Sequence, residues 1–99
     1  MIYFAELDPG GPIKIGTSRD PYARMRAFQT PVIPRSLALA QGGYTEEQAL
    51  HRAFSAHRMR GEWFRPVPEL LSLIQAVRSV PPTRVRISHG LPVKWRNRR

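Results

Sequence analysis

Lys14-Ile15-Gly16-Thr17-Ser18-Arg19-Asp20-Pro21-Tyr22-Ala23-Arg24 carries the chain from the end of a strand into the start of a helix. Ile13 and Ile15 alternate with Lys14 and Gly16, the period-two pattern of a strand, so the isoleucines share one face and Lys14 takes the other. Asp20-Pro21 reads as a helix start, because aspartate offers an N-cap oxygen and proline suits the first helical position. Upstream, Ile2, Tyr3, Phe4 and Leu7 form a β-favouring run, and Asp8-Pro9-Gly10-Gly11-Pro12 supplies the residue types that turns need. The two runs therefore pair as a hairpin that feeds a helix.

Along that helix Tyr22, Met25 and Phe28 or Gln29 recur at helical spacing and should face the sheet, with Arg24 and Arg26 flanking the stripe. An arginine one step off an apolar face lays its stem on the core and brings its guanidinium to the sheet's open edge. Thr30-Pro31-Val32-Ile33-Pro34 ends the helix, since two prolines cannot continue it. Ser36 to Gln41 reads as a third strand, with Leu37 and Leu39 on one face. Gly42-Gly43 breaks it, and Thr45 is the candidate cap of a helix running to about Arg60. Ala49, Leu50, Ala53, Phe54 and His57 make the core stripe of that helix. Glu47 and His51 are four apart and lie one above the other on it. Gly61-Glu62-Trp63-Phe64 then reads mainly as a fold element, with Trp63 and Phe64 as core anchors. Leu70, Leu71, Leu73, Ile74 and Val77 pack a last helix before Pro81-Pro82. The predicted fold class is α/β, more narrowly α+β: a small three-stranded antiparallel sheet flanked by helices. Residues 1–80 form the domain, and residues 81–99 a basic tail expected to be flexible.

A chain of 99 residues supports one modest core. It has no cysteine, which excludes disulfides and thiolate metal sites. No apolar run approaches the roughly 18 residues of a membrane span, so no membrane partner is expected. The N-terminus enters a strand without a charged segment before an apolar one, which makes the cytoplasm the expected compartment. The formal net charge of +9 favours a polyanion, most simply nucleic acid, through phosphate contacts and counterion release. From Thr83 onward Arg84, Arg86, Lys94, Arg96, Arg98 and Arg99 meet no acidic residue, and Trp95 lies among them. Cations interleaved with a tryptophan suit phosphate contact plus base stacking. With Arg19 and Arg26 these are the candidate nucleic-acid-binding residues. Charge does not separate binding from cleavage.

Hydrolysis of a phosphodiester needs an activated nucleophile, charge stabilisation at phosphorus, a metal or its equivalent, and a proton for the leaving oxygen. Arginine suits the second role, since its fork donates to two phosphate oxygens and keeps its charge. A carboxylate suits the third, because Mg²⁺ prefers oxygen ligands and retains most of its water. Tyrosine or lysine can serve the first where nearby cations and a metal pull the pKa down.

Two short strands, a turn and an arginine-bearing helix resemble the GIY-YIG nuclease superfamily. Ile2-Tyr3 stands for its first signature and Lys14-Ile15-Gly16 for its second, and the superfamily's helix arginine lands on Arg24. Within the superfamily the chain looks like a compact phage and bacterial, T5orf172-like branch. Lys14-Ile15-Gly16, Pro21 to Arg24, Glu47 to Phe54 and Gly61 to Phe64 match the four motifs of that branch in order. Each is weak alone, but the set is specific, and it covers roughly residues 1–80. The resemblance implies a three-stranded antiparallel core and one divalent metal, Mg²⁺ or Mn²⁺, on a single carboxylate. It makes Tyr3 the group at the attacking water or its base, and Lys14 the base or its helper. It gives Arg24 the transition-state phosphate and Glu47 the metal, with His51 assisting a proton transfer or orienting a phosphate. Glu62 is the competing carboxylate.

Two departures stand out. Met1 occupies the place of the first signature's glycine, and Lys14 replaces a tyrosine. A lysine starts near a pKa of about 10.4, so it needs a larger downward shift than a histidine to act as a base. Arginine and carboxylate both remain. The implied function is a divalent-metal-dependent endonuclease acting on DNA (or on RNA), by nicking or by structure-selective cutting. One alternative is a non-catalytic nucleic-acid-binding module of the same fold; another is a basic phage assembly protein. A pure binder has no need of a carboxylate among its phosphate-binding cations.

Overall fold

The computed structural model describes residues 1–27, 34–79, 87–88 and 91–92. Strands β1 (Ile2–Glu6) and β2 (Ile13–Thr17) pair antiparallel as the sequence predicts, joined by a turn in which Gly11 N–H donates to the Asp8 carbonyl at 2.9 Å. Helix α1 (Pro21–Arg26) follows. The Asp20 side chain caps it by accepting from Ala23 N–H at 3.1 Å, and Pro21 takes the first turn. Then come β3 (Arg35–Ala40), α2 (Tyr44–Ala53), a 3₁₀ turn (Ser55–His57), β4 (Arg58–Arg60), β5 (Trp63–Phe64) and α3 (Pro68–Arg78).

The sheet is five-stranded, not three-stranded, in the order β3-β1-β2-β5-β4, and every recorded pairing is antiparallel. The three expected strands are its first three; the class stays α+β. The two added strands were hidden for physical reasons. β4 and β5 are only three and two residues long, too short to display a period of two. The helix expected to run to Arg60 ends at Ala53, where Phe54 leaves helical geometry at φ −109° and ψ 19°. Its cap differs too: Gly43 occupies that position, and Glu46, not Thr45, reaches back to accept Gly43 N–H at 2.9 Å. That hydrogen bond holds the Glu46 carboxyl below the usual carboxylate range.

Alternation divides the side chains between two faces. Ile2, Phe4, Ile13, Ile15, Ala38, Ala40 and Phe64 meet Leu50 and Phe54 of α2 and Leu70, Leu73, Ile74 and Val77 of α3 in the main core. On the opposite face Tyr3, Ala5 and Leu39 meet Met25 of α1. Leu37 and Leu39 do not share a face as expected, because the pairing of β1 with β3 shifts between Phe4 and Ala5. That bulge turns Leu37 to the main core. Further expectations fail locally. Pro21 and Met25, four apart, form the buried stripe of the short α1, leaving Tyr22 53% exposed; Leu71 of α3 is 46% exposed. Ala53 is exposed, and His57 is half-buried in the 3₁₀ turn. Phe28 and Gln29 lie outside the described residues.

Gly61-Glu62-Trp63-Phe64 closes the sheet. Gly61 has φ +55° at the first position of a two-residue connection between β4 and β5, the placement that a tight hairpin turn asks of glycine. Phe64 is wholly buried in the main core, whereas Trp63 is half-buried on the other face and is not a core anchor. Within the segment read as a tail, β6 (Ile87–Ser88) and β7 (Leu91–Pro92) form a two-stranded antiparallel sheet. Gly61→Ala meets no atom within 4 Å, so only backbone strain opposes it, and a loss of about 1 kcal/mol is expected. Phe64→Ala removes a core ring and should cost about 3–5 kcal/mol. Urea unfolding midpoints of the two variants check that ranking.

Candidate active site

Tyr3 and Gly16 stand directly opposite each other on β1 and β2. A Cβ on Gly16 would lie 2.5 Å from both Cζ and Oη of Tyr3 and 2.9 Å from Cε1. The ring therefore crosses β2 where only glycine leaves room, and Tyr3 is 1% exposed. Its hydroxyl is delivered to one place beside α1. There Asp20 caps the helix, Met25 is buried against Tyr3, and Arg24, one residue earlier, hydrogen-bonds the Tyr3 oxygen while remaining mostly exposed. Burial pushes the Tyr3 phenol above its ordinary value and the Glu62 charge adds to this; the Arg24 hydrogen bond and charge oppose it, and Glu47 adds a further upward push.

Lys14 leaves β2 on the same face. Its Nζ donates to Glu62 Oε2 at 2.6 Å and sits 5.6 Å from the centroid of the Trp63 ring, within cation–π range. Glu62 reaches it because β5 pairs with β2, with Lys14 opposite Trp63 and Ile15 N–H donating to the Glu62 carbonyl at 3.0 Å. This ion pair is half open to water on the glutamate side, so its net worth is about 1 kcal/mol or less. Removing Glu62 alone would cost more, since Lys14 is buried.

Glu47 and His51 are both buried on α2. The Glu47 carboxylate accepts a hydrogen bond from Gln48 Nε2 at 3.1 Å, and among the described residues no ion pair reaches it. His51 Nε2 donates to the Ile15 carbonyl at 2.9 Å, and its ring centroid lies 5.2 Å from that of Phe64. That fixes a proton on Nε2 and makes His51 a brace for the β2 backbone between Lys14 and Gly16. Among the described residues no three His, Asp or Glu side chains converge on one point.

Arg19 and Arg26 are exposed at the two ends of α1, on either side of Arg24. Arg84, Arg86, Lys94, Trp95, Arg96, Arg98 and Arg99 lie outside the described residues. The structure thus groups Tyr3, Lys14 and Arg24 on one face, with the Glu47 charge within reach, and places His51 behind β2. Sequence reasoning missed the Lys14–Glu62 pair, because it depends on a strand two residues long. A cavity of about 340 Å³, lined by Gly10, Arg35, Leu71 and Arg78 among others, includes none of these residues.

The family model of the T5orf172 domain matches residues 1–80. The chain belongs to this family. No curated protein and no solved structure gave a match. T5orf172 domains are of the GIY-YIG-like phage nuclease type, in agreement with the motif set, and membership gives this chain a nuclease-like or nucleic-acid-binding function. Among the described residues no helix is long and apolar enough to cross a membrane.

Two expectations follow for this T5orf172 domain. With Tyr22 and Tyr44 both changed to Phe, phenolate absorbance should report Tyr3 ionising above its ordinary value of about 10. Arg24→Ala should move that titration further up, and Glu62→Gln should move it down. Gly16→Ala should destabilise the domain by about 1–3 kcal/mol through overlap with Tyr3, read from thermal unfolding.

Proposed function

We propose that this T5orf172 domain is a divalent-metal-dependent endonuclease that hydrolyses phosphodiester bonds in DNA, by nicking or structure-selective cutting. The observation that carries the reading is Glu47: a buried carboxylate, hydrogen-bonded by a neutral amide, whose charge is felt at the Tyr3 phenol in a strongly basic protein. A buried carboxylate is expensive without a compensating charge, and next to a phosphate it repels the ligand. Mg²⁺ or Mn²⁺ resolves both difficulties, and a single carboxylate suffices because phosphate and water supply the remaining oxygen ligands. The donor set fits such an ion. When bound, the ion would polarise the phosphate and lower the pKa of nearby water.

The chain's own residues do the rest. Arg24 presents its fork to the non-bridging oxygens where charge builds in the transition state. Tyr3, its oxygen fixed by Gly16 and Arg24, orients the attacking water. Burial raises its pKa, so it acts as a neutral phenol that holds the water by hydrogen bonding. Lys14 acts as a helper. Its ammonium donates to Glu62, an arrangement that shields the phosphate from the second carboxylate. His51 is a positioning residue that holds β2 through Ile15.

The test is nicking of supercoiled plasmid. The wild type should cut with Mg²⁺ or Mn²⁺ and stop in EDTA. Arg24→Ala and Glu47→Gln should each lose about two to three orders of magnitude or more while still folding. Glu47→Gln should still retard the plasmid in a gel. Full activity in Glu47→Gln with loss in Glu62→Gln would move the metal to Glu62. Retardation without cutting by the wild type would make the domain a binding module.

A further inference from the structure

Three strands place a cation, an indole and a second cation in one row. Lys14 on β2 stands opposite Trp63 on β5, and Trp63 stands opposite Arg60 on β4. Trp63 is half-buried and Arg60 exposed, on the face that also holds Tyr3 and Arg24. A β-bulge decides this geometry. Arg58 pairs with Phe64 and Arg60 with Trp63, so β4 advances two residues while β5 advances one, and Met59 is the extra residue. In a regular strand Arg58 and Arg60 would point the same way. The bulge separates them: Arg58 lies over the Phe64 ring at 5.4 Å, on the core side, and Arg60 is turned to the face of Trp63.

We propose that the Trp63–Arg60 row is a binding site for an unpaired DNA base on the face that holds Tyr3 and Arg24, with Trp63 stacking the base and Arg60 holding the adjoining backbone phosphate. The inference rests on the nucleic-acid reading of the face and not on cleavage. A half-buried indole with the Glu62-paired Lys14 ammonium 5.6 Å from its centroid and Arg60 at the neighbouring register position offers an apolar surface with an exposed cation beside it. That pairing tracks single strands, whose bases have free π-faces, whereas a base inside a duplex is already stacked. The ligand class that follows is DNA with a nucleotide out of the helix, such as a gap, a flap or a single strand. Arg58 makes no such contact.

The chain has two tryptophans, so Trp95→Phe leaves Trp63 as the sole indole emitter. This full-length variant, in EDTA to prevent cutting, is titrated with a dye-labelled oligothymidylate of about 12 nucleotides and with a blunt duplex of equal length. Dye anisotropy reports binding and Trp63 emission reports stacking. Single strand should bind tighter than duplex and quench Trp63. Arg60→Ala should weaken single-strand binding several-fold and lower its salt slope by about 0.7, while Arg58→Ala changes neither. Trp63→Ala should cost roughly ten-fold, with Trp63→Phe intermediate.

Equal effects of Arg58→Ala and Arg60→Ala would mean that net charge alone acts, and would overturn the proposal. So would unchanged Trp63 emission while anisotropy reports saturation, even in a protein that nicks plasmid. Quenching in a protein that never cuts would uphold this site and remove the endonuclease reading. Failure to bind any DNA would remove both.

Discussion

A tyrosine ring laid over a glycine sets the geometry on which the candidate site depends. Tyr3 and Gly16 face each other across β1 and β2, and a methyl group on Gly16 would overlap the ring. Because the sheet has buried side chains on both faces, Tyr3 is packed on its second face as tightly as Phe4 is on the first. Its hydroxyl therefore has one position. Met25 packs against that ring and brings α1 with it, and the Asp20 cap fixes where the helix begins. Arg24 reaches the Tyr3 oxygen as a consequence of these packing choices. Orientation of this kind is what a positioned catalytic group needs before any charge effect operates.

Much of this was legible in the chain, and the boundary between legible and hidden is physical. Ile13 and Ile15 alternate cleanly, and Asp20-Pro21 carries its own capping chemistry, so the hairpin and the start of α1 follow from local pattern. Glu47 and His51 share a helix face by spacing, and both are buried. Hidden were the features that depend on pairing between distant segments. The bulge at Leu37 breaks the period of two in β3, and nothing in Ser36-Leu37-Ala38-Leu39 announces it. The stretch from Ala53 to His57 has ordinary helix formers, yet Phe54 is drawn into the core and the helix ends beneath it. Here tertiary packing overrides propensity.

The two carboxylates near Tyr3 differ in partner, and the difference was beyond sequence reasoning. Glu62 is matched by Lys14 at 2.6 Å in a pair partly open to water. Glu47 is buried with an amide for a partner. Opposite charges close together satisfy each other, and a cation arriving from solvent gains less at such a pair than at a buried carboxylate that, among the described residues, has no ion pair. On that ground Glu47 is the better place for the proposed metal.

Gly61-Glu62-Trp63-Phe64 unites fold and site in four consecutive residues. Glycine reverses the chain at φ +55°, glutamate pairs with Lys14, tryptophan takes the outer face, and phenylalanine enters the main core. Alternation forces the last two apart: if Phe64 is anchored inside, Trp63 must lie on the face of Lys14 and Tyr3. A slip of one residue in this pairing would exchange them, exposing an apolar ring and burying an indole above Ile13. Burial of Phe64, worth about 2–3 kcal/mol by area, therefore holds the register that presents Trp63. On the far side of the same short strand, the bulge at Met59 sends Arg60 after it. Stability of the core and the layout of the outer face are thus set by one choice of register.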